Sequence, residues 1–165
     1  MESTGENSCQ VAVIMGSKSD LTTMSAAIAV LDELRIGHET LIVSAHRTPD
    51  RLFSFAKSAS TKGFKVIIAG AGGAAHLPGM VASLTHIPVI GVPVKSDCLS
   101  GWDSLLSIAQ MPRGVPVATM SIGPAGATNA AVFAASILGL VYEDISTRLQ
   151  KWRHDQSDNV ALTPF

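Results

Sequence analysis

Charge is scarce in this 165-residue chain: only 15% of residues are Asp, Glu, Lys or Arg, against roughly a quarter in ordinary soluble domains. The 12 basic residues do not outnumber the 13 acidic ones. Without a basic excess there is nothing to neutralise a phosphate backbone, and without a polybasic run nothing to hold a membrane surface, so neither nucleic acid nor a membrane is an expected partner. Although 47% of residues are hydrophobic, no apolar run approaches the roughly 20 residues of a membrane span. The surplus apolar surface is expected at subunit interfaces.

Cysteine is nearly absent. Cys9 and Cys98 are too few and too isolated for a disulfide framework or a structural zinc site, and both read as reduced thiols. Residues 1–9 are polar, with no basic stretch leading into an apolar one, so no secretory signal is visible and a cytoplasmic location is expected. The Gly-x4-Gly-Lys-Ser/Thr spacing of a P-loop is missing, as is the Gly-x-Ser-x-Gly of a nucleophile elbow. No two histidines share helical metal-ligand spacing and none pairs with an acid in a zinc motif, so no metal is expected. His38 and His86 at element edges and His154 near the C-terminus read as structural or solvated.

What the chain has is alternation. Val11 to Met15 lies in a short apolar run ended by Gly16, consistent with a buried parallel strand. From Asp20 to about Arg35, the spacing of Leu21, Met24, Ile28, Leu31 and Leu34 describes one face of a helix, stopped by Gly37. A second strand is expected over 38–43, then a helix marked by Leu52, Phe53, Ala56 and Ala59, and a third strand over 64–69. A glycine-rich loop over 70–79, a short helix to about Leu84 and a fourth strand over 88–94 follow. The long segment Lys95 to Gly114 includes an expected short helix over 103–110 and, on length alone, is the candidate lid. A fifth strand is expected over 116–121, then a helix from Pro124 to about Leu140 that is apolar nearly all round, which points to burial against another subunit. A last helix, Tyr142 to about His154, must dock on its own domain or reach a neighbour as an exchanged arm.

Strands alternating with helices through short connections imply a parallel sheet covered on both faces. The expectation is one α/β domain over residues 10–155, with tails over 1–9 and 156–165. It would be a three-layer α/β/α sandwich with a flavodoxin-like sheet in the order 2-1-3-4-5 and an extra C-terminal helix. In that order the loops after strands one, two and three meet at the switch point, where such sheets bind ligands.

Each of those loops has chemistry. Gly16-Ser-Lys-Ser-Asp20 offers two hydroxyls and starting-helix amides for a phosphate, while Asp20 can cap its helix or accept bonds from sugar hydroxyls. Ser44-Ala-His-Arg-Thr-Pro-Asp50 ends a strand and begins a helix, with Pro49 in the first turn and Thr48 able to cap it. There His46 can move a proton and Arg47 can hold an anion. In the third loop Gly70, Gly72 and Ala75 fit Gly-x-Gly-x-x-Ala, with Asp97 as a possible ribose acid, so a dinucleotide-binding module competes. The other reading is that these glycines let backbone amides approach a flat ligand, a carboxylate or carbon dioxide.

Taken with Gly91-Val-Pro-Val94 and Gln110-Met-Pro-Arg-Gly-Val-Pro-Val-Ala-Thr119, these loops strongly resemble the PurE family of purine biosynthesis from about Val11 to Trp152. Within it the match is to the single-domain mutases. The resemblance implies migration of a carboxylate from the exocyclic nitrogen of N5-carboxyaminoimidazole ribonucleotide to ring carbon C4, with no ATP, biotin, metal or other cofactor. It implies His46 as the acid/base residue, Ser17, Ser19 and Arg47 on the phosphate, and Asp20 on the ribose. Ser44 joins the substrate-binding set, and Ala71, Gly72, Gly73, His76 and Leu77 would line the pocket for the imidazole and the migrating carboxylate. It also implies a small-molecule ribonucleotide substrate and a homo-octamer. A related carboxylase using free carbon dioxide would share most of this site.

Overall fold

The computed structural model describes residues 9–164. The expected N-terminal tail therefore lies, apart from Cys9, outside the described residues, as does Phe165. Five parallel strands form one sheet in the order β2-β1-β3-β4-β5. They are β1 (Val11–Met15), β2 (His38–Ile42), β3 (Val66–Gly72), β4 (Val89–Val94) and β5 (Ala118–Thr119). The helices between and after them are α1 (Leu21–Glu33), α2 (Pro49–Ser58), α3 (Leu77–Ala82), α4 (Trp102–Ala109), α5 (Pro124–Leu138) and α6 (Glu143–Asp158). A single 3-10 turn, Lys18–Asp20, leads into α1.

Side-chain alternation along each strand divides the core between the two faces of the sheet. Val11, Val13, Met15, Val66, Ile68, Ile90 and Val92 pack with α1, α5 and α6. Ala12, Ile14, Ile67, Ala69 and Val89 face the other way, onto α2, α3 and α4. This is the expected three-layer, flavodoxin-like sandwich.

The boundaries moved where packing outweighed local pattern. Gly70, Ala71 and Gly72, expected in a loop, are the last residues of β3 and pair with Val92, Pro93 and Val94. Their pairing with a buried neighbour overrides the low strand preference of glycine. A side chain at Gly70 would be crowded in any case, since a Cβ there would run into the side chain of the fully buried Met24 on α1. β5 shrinks to two residues on the sheet edge, where Pro116 has no N–H for a ladder. On α2 the buried face is Leu52, Phe55, Ala56 and Ala59. Those positions follow the 3.6-residue period, whereas Phe53 falls off it and is exposed.

α5 was expected to bury its surface against another subunit, yet much of it is covered within the chain. Ala127, Ala130, Ala131, Ala134 and Ala135 are fully buried, because alanines let α5 lie closely against α1 and the sheet, and α6 returns to cover another side through Ile145 and Leu149. α6 thus docks on its own domain. Arg148 Nε donates to the Leu34 carbonyl at 2.7 Å and Trp152 Nε1 to the Glu33 carboxylate at 2.8 Å, both at the end of α1. The helix runs through 156–158, which were expected in a tail; the i,i+4 pairs Lys151–Asp155 and His154–Asp158 lie along this last stretch.

Candidate active site

All the candidate residues converge. The C-terminal ends of β1, β2, β3 and β4 open on one cavity of about 570 Å³, lined by every residue of the candidate set: Ser17, Ser19, Asp20, Ser44, His46, Arg47, Ala71, Gly72, Gly73, His76 and Leu77. It sits beside the β1/β3 switch point, as the strand order requires.

In the first loop, Ser17 Oγ and Ser19 Oγ lie 2.6 Å apart, so the two hydroxyls form one exposed polar patch. Asp20 does not cap α1 with its side chain. Its carboxylate turns back and accepts the Ser17 N–H at 2.9 Å. Burial raises its pKa above the usual 3.8; bonds from Ser17 and Gly16 and the charge of Arg47 act in the opposite direction. The folded protein therefore holds this proton to a higher pH than the unfolded chain does, and stability from this group falls as pH rises above 3.8. Asn is neutral throughout and keeps an acceptor. The expected result for Asp20→Asn is a melting temperature that gains on the wild type as pH climbs through this window and then levels off, while turnover drops. Parallel melting curves for the two proteins from pH 3.5 to 8 check it; a constant difference would contradict the assignment.

The second loop is built around Ser44, which is only 8% exposed. Thr48 does not cap α2 with its hydroxyl. Its Oγ1 instead accepts the Ser44 N–H at 3.0 Å and donates to the Ser44 carbonyl at 2.9 Å, closing the turn on itself. Ser44 Oγ accepts from both the backbone N–H and Nε of Arg47, and Arg47 Nη2 donates to the Gly16 carbonyl at 3.1 Å. The guanidinium thus straps the second loop to the first and stands next to the serine pair. Ser44 reaches the cavity mainly by aiming Arg47.

His46 projects the other way. Its Nε2 lies 2.8 Å from Nδ1 of His76 in the third loop, with the rings nearly perpendicular at 84°. At that separation the two rings are hydrogen-bonded, one nitrogen donating its N–H and the other accepting it. The family resemblance puts His76 on the pocket wall; that it is the hydrogen-bond partner of His46 comes from the fold. Ala71 is buried and Leu77 is 2% exposed, so they contribute an apolar floor. Gly72 and Gly73 bring backbone to the cavity surface.

The dinucleotide reading fails on geometry. Gly70 and Gly72 are strand residues, Gly70 packs under the side chain of Met24, and the helix that follows has only six residues and begins after His76. A fourth wall that the three loop motifs do not reveal is formed by Val94, Lys95 and Ser96, which line the cavity beside Asp97, the possible ribose acid of the dinucleotide reading. The adjacency of β4 to β3 in the expected strand order was the signal that could have found them. The expected lid, Lys95 to Gly114, divides in two: 95–97 belong to the cavity wall, and α4 behind them is tied to the sheet through Ser104.

The family model described as AIR carboxylase matches residues 10–159. The N5-carboxyaminoimidazole ribonucleotide mutase of Brucella melitensis is 60% identical over 95% of this chain and 97% of the relative. The Escherichia coli enzyme of the same name is 56% identical over 98% of this chain and 96% of its own. Among solved structures, PurE of Treponema denticola superposes with a TM-score of 0.80 at 27% identity, covering 90% of this chain and 91% of that one. With its β-strand order, its four converging loops and these relatives, the chain belongs to the AIR carboxylase family.

Proposed function

We infer that this chain is a mutase converting N5-carboxyaminoimidazole ribonucleotide to 4-carboxy-5-aminoimidazole ribonucleotide. One observation carries the reading: adjacent residues at the end of β2 face different parts of one cavity, Arg47 toward the serine pair and His46 toward the glycine loop. A phosphorylated substrate clamped at one end by Arg47, Ser17 and Ser19, with its ribose on Asp20, would lay its base beside His46.

The chemistry then needs one proton moved twice. As the N–CO₂ bond breaks, His46 gives a proton to the departing exocyclic nitrogen, leaving carbon dioxide and the neutral aminoimidazole. C4 attacks the carbon dioxide, and His46 takes the C4 proton, which restores both aromatic ring and catalyst. No electrons leave or enter. The carbon dioxide has to be kept near C4 between the steps, which is the work assigned to Ala71, Gly72, Gly73, His76 and Leu77.

Residues 10–155 are proposed as the single catalytic domain, acting in the cytoplasm. Among the described residues no helix is long and apolar enough to cross a membrane. Leu99, Trp102 and Leu106 around α4 and Leu140 and Val141 after α5 are exposed apolar side chains, Trp102 by 63%, and supply the contact surface for the proposed homo-octamer. Light scattering is expected to give a mass near eight protomers, and charged substitutions at Trp102 and Leu106 are expected to lower it.

The deciding assay supplies purified protein with N5-carboxyaminoimidazole ribonucleotide in bicarbonate-free buffer. Rapid appearance of the 4-carboxy product supports the mutase. Activity that appears only when the unmodified ribonucleotide and bicarbonate are supplied would make it a carboxylase instead.

A further inference from the structure

Gly73 sits at the turn of the glycine loop with φ +68°, a left-handed conformation that other residues seldom adopt. Open space surrounds its missing side chain, so its conformation is not set by crowding. It is held by hydrogen bonds from α4. The Gly73 N–H donates to Ser104 Oγ at 2.9 Å, and that same hydroxyl donates to the Val94 carbonyl at 2.6 Å. Ser107, one turn further along α4, has its hydroxyl 2.6 Å from the Asp103 carbonyl and 3.3 Å from the Gly73 carbonyl, so it reaches the other side of the same residue.

Ser104 is 0% exposed. Fully buried, with its one proton on Val94 and a lone pair on Gly73, it joins the ends of β3 and β4 where both face the cavity. It touches no part of the cavity itself, since neither it nor Ser107 lines the pocket. No motif in the sequence marked it.

Resting on the mutase reading, we propose that Ser104, seconded by Ser107, is a positioning residue that fixes the Gly73 peptide and so keeps released carbon dioxide next to C4 until it is recaptured. The loop must be stiff at one moment only, between loss of the carboxylate from nitrogen and its return on carbon. Phosphate and ribose contacts belong to the other loops and do not depend on α4. Loosening Gly73 should therefore spare binding and spoil coupling: the N–CO₂ bond still breaks and the nitrogen is still protonated, but carbon dioxide escapes and free aminoimidazole ribonucleotide leaves with it.

The experiment measures, for wild type, Ser104→Ala, Ser104→Cys and Ser107→Ala, the ratio of free aminoimidazole ribonucleotide released to 4-carboxy product formed, together with KM. The expected result is a release ratio raised about tenfold in Ser104→Ala, a smaller rise in Ser107→Ala, partial recovery in Ser104→Cys, and KM within about twofold of wild type. A role confined to stability would lower the amount of active protein and leave this ratio unchanged, which would overturn the proposal. Should Ser104→Ala fail to fold, Ser107→Ala decides by the same ratio. Failure of the parent reading would show separately, as wild-type protein unable to make the 4-carboxy product without bicarbonate.

Discussion

Replacing His46 by Asn is expected to lower kcat for carboxyl migration by about 10²- to 10⁴-fold, the usual worth of a positioned acid/base group, with Kd for the ribonucleotide changed less than about threefold. Asparagine keeps a polar head at the end of β2 but has no proton to give and take at neutral pH. The phosphate clamp is left intact because Arg47 is held by Ser44 Oγ and the Gly16 carbonyl, neither of which involves His46. Arg47→Lys should show the opposite pattern. An ammonium cannot bond Ser44 and Gly16 in the same fork, so KM rises more than kcat falls. Steady-state kinetics for turnover and calorimetry with product for affinity separate the two. A His46→Asn enzyme within tenfold of wild type would remove His46 from the mechanism.

The largest loss of stability is expected from a methyl group in α5. In Gly126→Ala the new Cβ would stand 1.7 Å from the Ser121 carbonyl oxygen and 2.7 Å from its carbon. Alanine would improve helix propensity by about 1 kcal/mol, but the neighbour is backbone just before the helix and cannot rotate aside. Overpacking of this kind costs about 3 kcal/mol, so the net loss is about 2 kcal/mol, which for a chain of this length is a fall in melting temperature of about 4–8 °C. Gly79→Ala is the matched control. Its Cβ meets only the side-chain end of Met111, at 2.9 Å, which can swing away, so the change should stay under about 1 kcal/mol. Thermal unfolding of both variants checks the pair, and equal melting temperatures would show that Ser121 yields easily.

Both predictions rest on features with different degrees of visibility in the sequence. His46 and Arg47 could be singled out because Pro49 and the apolar run before Ser44 place them between a strand and a helix, and strand order placed that junction beside two other loops. Gly126 carries no such mark. It reads as one small residue in an alanine-rich helix, and only the return of the chain at Ser121 makes a methyl there costly. The same holds for Gly70, whose place in a Gly-x-Gly-x-x-Ala run suggests nucleotide binding, whereas in the fold it lies in a buried strand under the side chain of Met24.

The sequence alone determined the class of the fold, pointed to the strand order and, through its resemblance to the PurE family, named the members of the candidate site. The first two follow from local information: hydrophobic periodicity sets the elements, and short connections in a parallel sheet bring the loops to one edge. Tertiary structure decided which groups meet. That His46 is hydrogen-bonded to His76, that Thr48 serves Ser44 instead of its helix, that α6 folds back on Glu33 and Leu34, and that Ser104 ties Gly73 to Val94 all depend on hydrogen bonds between particular atoms. Most join residues far apart in the chain. Such contacts leave no periodic trace, because each is set by where two elements come to rest and not by the pattern within either one.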